Sequence, residues 1–333
     1  MDNKKIILAI TPDVKLYECF LDNLKKLGFD VYLVCNNHFR YKNFKDKLVN
    51  FYKKSFLKNK TYKRELARKY NSIENSEKLS SFPNTDYSLI IRADLFDKKT
   101  IQTIVSKSKK NYSYQWDGLS RFAEVKNSIP LFNKFYVFDK DDLKINNTFP
   151  STNFYFDCYP DIFKNIEPEF DAYFIGSYDS RINTLITICE LLDSHGLKLN
   201  IMLCCSPKKH LKKYKYITFI KNSLSYYENL KMVANSKMLI DIHHDNLHKG
   251  LSFRAFEALG YDKKLITSNE IIKQYDFYNQ NNIYVINHDN LNFNTFLDSN
   301  YQDVQIEVKA KYSFTNWINY ILEKDNSSPL FIP

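Results

Sequence analysis

From His248 to Gly260 the chain reads H-K-G-L-S-F-R-A-F-E-A-L-G, which puts a glycine, an arginine and a glutamate on one short segment. A helix starting at Leu251 places Gly250 at its N-terminus, where free backbone N–H groups and the helix dipole attract phosphate. Arg254 and Glu257 are three apart and share one face of such a helix. A guanidinium suits a diphosphate, and a carboxylate accepts both hydroxyls of a ribose. With Ser252 and Phe253 in the first turn, the set fits a nucleotide-sugar site. An isolated R-x-x-E also describes an internal salt bridge on an amphipathic helix. Apolar runs at 237–243 and 264–267 bracket the segment, so it lies at the C-terminal edge of a parallel sheet, where open α/β folds bind ligands.

A second anion-binding set is Gly176, Ser177 and Arg181, in a turn between an apolar strand and a helix. Lys249 adds charge beside Gly250. His243, His244 and His248, with Asp241 and Asp245 nearby, look superficially like metal ligands. The first two are adjacent and point to opposite faces of a strand, so a sugar or phosphate contact for His244 or His248 fits better, and no metal site is expected. Asp139-Lys140-Asp141 has the letters of a D-x-D metal motif but the setting of a solvated strand end. Three carboxylates are candidate bases for an acceptor hydroxyl, in the order Asp13, Asp117, Asp94. Each is equally readable as a helix cap or loop residue.

G-L-S-F-R-A-F-E-A-L-G, followed by K-L-I-T-S-N, resembles the donor-binding segment in the second domain of GT-B glycosyltransferases. The group most similar has a "glycosyl transferases group 1" type second domain and is common in bacterial capsule and lipopolysaccharide clusters. F-I-G-S-Y-D-S-R at 174–181 is similar to the Gly-rich turn that opens that domain, and Y-Q-W-D-G-L-S-R at 114–121 to a run in surface-polysaccharide transferases. The resemblance implies two Rossmann-like doubly wound domains facing a cleft, with a C-terminal helix returning to the first. It implies transfer of a sugar from a nucleotide donor such as a UDP-sugar to a hydroxyl of a lipid-linked or growing surface glycan (capsule, O-antigen or lipooligosaccharide), without a metal or other cofactor. Retaining members often carry Glu-x7-Glu; here Lys249 stands eight residues before Glu257, which favours inversion.

The elements that must position these residues are legible as alternating patterns. At 333 residues the chain suits two domains of roughly 150 residues each. Strands are expected at 5–9, 31–35, 87–92, 112–116 and 135–138, with helices at 16–27 and 98–108. The segment 146–168, rich in Asn, Pro and aromatics, reads as a connection. A second unit follows with a strand at 172–175, a helix at 181–194, a strand at 199–203 and a helix at 226–234. A strand at 283–286 and a helix at 314–323 complete it. The divisions expected are an acceptor domain over 1–160, a donor domain over 170–310, and a returning helix and tail over 311–333. The first βα turn lacks G-x-G-x-x-G, so a dinucleotide cofactor is not expected.

No apolar run reaches the length of a transmembrane helix, and the N-terminus reads as a strand rather than a signal peptide. Six cysteines without C-x-x-C spacing read as reduced residues of a cytoplasmic protein. The formal charge of +10 is concentrated: residues 40–70 hold twelve Lys or Arg against two acids, a local +10. Phe44, Leu48, Phe51, Tyr52, Phe56 and Leu57 recur among them at helical spacing. Such a helix can lie on the inner face of an anionic membrane, making the protein peripheral there. It can equally dock on its own domain with the lysines in water. Two further readings stay open: a nucleotide-sugar-binding protein without catalysis, and a basic nucleic-acid-binding protein, although no nucleic-acid module accompanies the patch.

Overall fold

The computed structural model describes residues 3–37, 39–59, 62–243, 249–286 and 293–333. The chain divides into two compact units. One comprises 1–115, 119–136 and 145–149; the other comprises 116–118, 137–144 and 150–333.

Unit 1 opens with β1 (Lys4–Ile10), α1 (Leu16–Lys26) and β2 (Phe29–Cys35). The run Ile6 to Ile10 is buried on both faces, as expected of a central parallel strand. Gly28 takes a φ of +79°, which ends α1 at little steric cost. Next come α2 (Phe44–Ser55), α3 (Tyr62–Ser81), β3 (Thr85–Ile91), α4 (Lys98–Ser106) and β4 (Ser108–Gln115). Asp97 starts α4 by accepting the Thr100 N–H at 3.1 Å. With β5 (Lys134–Val137) and β6 (Thr148–Pro150), the first sheet has the order β2-β1-β3-β4-β5-β6. Because β1 pairs in parallel with both β2 and β3, the topological switch lies between β1 and β3.

Unit 2 contains β7 (Phe170–Ser177), α5 (Ile182–Ser194), β8 (Leu199–Cys204), β9 (Ile217–Ile220), α6 (Tyr226–Ala234) and β10 (Ser236–Asp241). They are followed by α7 (Phe253–Gly260), β11 (Lys264–Thr267), β12 (Ile283–Val285), α8 (Asn294–Asp298), α9 (Ile306–Lys311) and α10 (Phe314–Ile321). The second sheet runs β12-β11-β10-β7-β8-β9, with its switch between β7 and β10. Ala172, Ile188, Ile201, Ile240 and Ile266 lie in its core, between the sheet and its helices.

Residues 150–160, expected within the first domain, cluster with unit 2. They hold α10: the Trp317 indole N–H donates to Ser151 Oγ at 3.1 Å, and Phe154 packs on the Trp317 ring at 4.3 Å. Ser313 caps that helix by accepting the Asn316 N–H at 3.1 Å. Among the described residues, no helix is long and apolar enough to cross a membrane. All six cysteines are free, and Cys19 and Cys189 are buried.

The basic segment departs from one of its two expected settings, docking of its apolar side on its own domain. It forms α2 and the start of α3, and no residue of α2 is buried. The helix does not dock by its apolar side: Asp46, Asn50 and Lys53 face the protein, while the apolar side faces solvent together with Lys45, Lys47 and Lys54.

Candidate active site

Pairing between β7 and β10 ends at Tyr173 and Leu239, and the strands part beyond it. Backbone carbonyls at such a point need donors from elsewhere. Arg254, on the first turn of α7, donates to the carbonyls of Ile175 at 2.7 Å and Ile240 at 3.1 Å. Its guanidinium also lies 3.5 Å from Asp241 and over the Phe174 ring. Arg181 behaves alike, donating to the Ile242 carbonyl at 2.7 Å while Asp179 holds it in a two-pronged ion pair. Both arginines therefore bond the ends of the strands at the sheet edge, each beside an aspartate. This anchoring use was not foreseen for either.

The helix starts two residues later than expected, at Phe253, with Ser252 as its N-cap. Gly250 thus precedes the helix instead of opening it. Its missing side chain serves a close approach: a Cβ there would stand 2.6 Å from the Phe138 carbonyl oxygen and collide with the Phe138 ring. Ser252 Oγ is buried and has no hydrogen-bond partner among the described residues, although an N-cap hydroxyl ordinarily accepts from the first turn. Gly176 and Ser177 likewise finish β7 instead of opening α5, and they pair with Leu203 and Cys204. Gly176 leaves room for the Phe174 ring, 2.7 Å from where its Cβ would stand.

Glu257 does not face Arg254 in a simple salt bridge. It is 3% exposed and accepts hydrogen bonds from the Tyr226 phenol and, at 3.4 Å, from Asn229, both on α6. Burial raises its pKa, while the Tyr226 bond and the Arg254 charge pull it back in part. Neither α6 partner was singled out from the sequence. Both lie on the helix expected at 226–234, for which no role was foreseen.

Lys249 pairs with Asp141 at 2.6 Å, and its backbone N–H donates to Asp139 at 2.9 Å. Asp139-Lys140-Asp141 is thus a clasp for the loop before α7, not a free strand end. The bonds from Lys249 and then Lys144 lower the Asp141 pKa to about 2. Trp116 also reaches α7, its ring meeting Phe253 edge-on at 5.6 Å, and the next residue, Asp117, belongs to the same unit. His243 is fixed by its backbone N–H to Ser268 and by its ring to Asn269. His244 and His248 lie outside the described residues.

The other two candidate bases flank the switch point of unit 1. Asp13 follows β1, is exposed, and accepts from the Thr11 hydroxyl at 2.8 Å. Val14 next to it has a φ of 44°, which a β-branched residue adopts only under strain. Asp94 follows β3 and is buried; Arg92 binds both its oxygens at 2.7 and 2.9 Å, and Gln115 binds one of them. A cavity of about 310 Å³ opens beside Asp13, lined also by Thr11, Asn36, Arg68 and Asn71. A neighbouring groove of about 410 Å³ shares Asn37, Phe39, Ala67 and Asn71 with it and extends to Arg40 and Lys42.

No family model matches the sequence, and no curated protein matches it. Solved structures do. An alpha-glucosyltransferase in complex with UDP and a 13-mer DNA containing a central A:G mismatch superposes with a TM-score of 0.50 at 11% identity, over 80% of each chain. UDP-GlcNAc 2-epimerase from Methanocaldococcus jannaschii gives 0.47 at 13% identity, over 90% of this chain and 94% of that one. MurG from Acinetobacter baumannii gives 0.41 at 10% identity, over 88% of both chains. The shared feature is the fold: two six-stranded doubly wound α/β sheets, the plan of GT-B proteins.

Proposed function

We propose that this chain is a glycosyltransferase that takes its sugar from a nucleotide donor held at the C-terminal edge of β7 and β10. The observation that carries the reading is Ser252 Oγ, a buried hydroxyl without a partner among the described residues, at the N-cap of α7 beside a topological switch point. A diphosphate seated there accepts the hydroxyl proton and the free N–H groups of the first helical turn. Lys249 and Arg181 add positive charge, with His244 and His248 on the adjoining stretch of chain. Glu257 meets a ribose only where the donor displaces Tyr226.

In the reaction, a carboxylate removes the proton of an acceptor hydroxyl. The hydroxyl oxygen bonds to the anomeric carbon, the bond to the diphosphate breaks, and the nucleoside diphosphate leaves with its charge met by the α7 N-terminus. Asp13 is the preferred base, because its carboxyl is exposed while Asp94 is held on both oxygens; Asp117 is second. The acceptor is a lipid-linked or growing surface glycan, inversion is preferred, no metal is required, and the work is done at the inner face of a bacterial cytoplasmic membrane.

The test is stabilisation by a panel of nucleoside diphosphates and nucleotide sugars, with and without magnesium, then transfer to glycan acceptors. A donor at a hundredfold its Kd stabilises the folded state by about 2.7 kcal/mol. The UDP in the similar glucosyltransferase complex puts uridine nucleotides first, and its DNA makes duplex DNA an acceptor worth including. Ser252→Ala should weaken the shift, and Asp13→Asn should keep it while slowing transfer by about 10²–10⁴-fold. A panel that stabilises nothing, or stabilises Ser252→Ala equally, sinks the donor site. Conversion of a free nucleotide sugar with no acceptor present points to an isomerising enzyme instead.

A further inference from the structure

Helix α2 is assembled the wrong way round for a helix that docks on its own protein. Its inward contacts are polar and fall at 46, 50 and 53, one helical face. Asp46 accepts from the Tyr70 phenol, Asn50 donates to the Tyr41 hydroxyl at 2.8 Å, and the Lys53 ammonium sits 4.0 Å from the centre of the Tyr62 ring. On the opposite face stand Phe44, Leu48, Phe51 and Tyr52, and the stripe continues past the helix end into Phe56 and Leu57. These six side chains are between 52% and 71% exposed. A soluble helix normally buries such a stripe, and a contiguous apolar patch on a surface marks an interaction site. Lys45, Lys47, Lys54 and Lys58 lie among and beside these apolar residues.

We infer that α2 and the two residues after it form a membrane-docking surface that lies flat on an anionic lipid bilayer, the rings entering the headgroup–acyl boundary and the lysines meeting lipid phosphates. Charge selects this occupant. A second copy of the chain would bring the same lysines against one another. A nucleic acid would satisfy the lysines but leave six apolar side chains in water. An anionic bilayer takes both, because apolar burial and attraction to acidic headgroups act on the same helix. The inference does not depend on glycosyl transfer, and its test needs no donor or acceptor.

The test is co-sedimentation of the full chain with phosphatidylcholine vesicles, alone and with about one-third phosphatidylglycerol. The wild type should sediment with the anionic vesicles, less in high salt, and stay behind with the neutral ones. Phe51→Ser should lower the partition coefficient roughly tenfold or more, since an exposed ring is removed without disturbing a core. Lys45→Glu with Lys47→Glu should abolish binding, and Lys209→Glu with Lys212→Glu on unit 2 should leave it intact. Retained binding in both α2 variants overturns the inference. A dimer dispersed by Phe51→Ser, with no vesicle binding, replaces it with self-association. Salt-sensitive binding of duplex DNA that survives Phe51→Ser, again without vesicle binding, replaces it with a nucleic-acid surface.

Discussion

The Tyr226 phenol on α6 donates a hydrogen bond to the Glu257 carboxyl on α7, inside a region where the glutamate is 3% exposed. The pair fastens α6 to the helix that carries Arg254 and starts at Ser252. A buried carboxylate is tolerated only with such donors around it. Tyr226→Phe removes the main donor and leaves Asn229 at 3.4 Å. The expected cost is about 1–3 kcal/mol of folding free energy, measured by urea denaturation. An unchanged midpoint would mean that the pair does not brace the two helices.

Glu257 also sets a pH dependence. Its pKa in the folded chain is raised, chiefly by burial, above the unfolded value of about 4.3. The folded state therefore holds the proton more tightly. This contribution is fully present below the unfolded pKa and is lost as pH rises through the folded one. Glu257→Gln, which has no proton to lose, should show a flatter stability profile within that window, between the unfolded and the folded pKa. Parallel denaturation curves for the two proteins at several pH values decide it, and identical slopes would refute the assignment.

Asp141 should titrate at about 2 in the folded protein, because Lys249 and Lys144 both bond its carboxylate. Replacing Lys249 with Ala removes the larger influence, so the midpoint should move up toward the ordinary aspartate value of about 3.9. Carboxyl chemical shifts followed by NMR across acid pH read this directly. A midpoint that does not move shows that the Lys249 contact is not formed in solution.

Arg254 separates a structural role from a ligand role. Its bonds to the Ile175 and Ile240 carbonyls bridge the two strands at the switch point. Arg254→Lys keeps the charge but not the fork, so it should destabilise the ligand-free protein by about 2 kcal/mol. A variant as stable as the wild type that no longer responds to any nucleotide would instead assign the guanidinium to phosphate.

Gly250→Ala should be destabilising by about 1–3 kcal/mol, since its methyl group would meet the Phe138 ring and a carbonyl that cannot retreat. Thermal unfolding of that variant measures the effect. Gly28→Ala would instead be strained by its φ of +79° without any clash, which makes it a useful contrast.

Local patterning determined much of this protein. Apolar runs located β1, β7, β10 and β11, and helical patterning located α1, α4, α6 and α10. From those elements the α/β class and the position of the α7 segment at a sheet edge were legible, because strands and helices bury faces at fixed periods. Tertiary structure decided where the side chains point. Arg254 turns back to carbonyls 79 and 14 residues away in sequence, and Asp139 reaches Lys249 across 110 residues. Contacts at such separations follow from how layers stack, which no local period records. The same holds for α2: its sequence shows an apolar face and basic residues, but only its placement against Tyr41, Tyr62 and Tyr70 shows that the apolar face is the one left open.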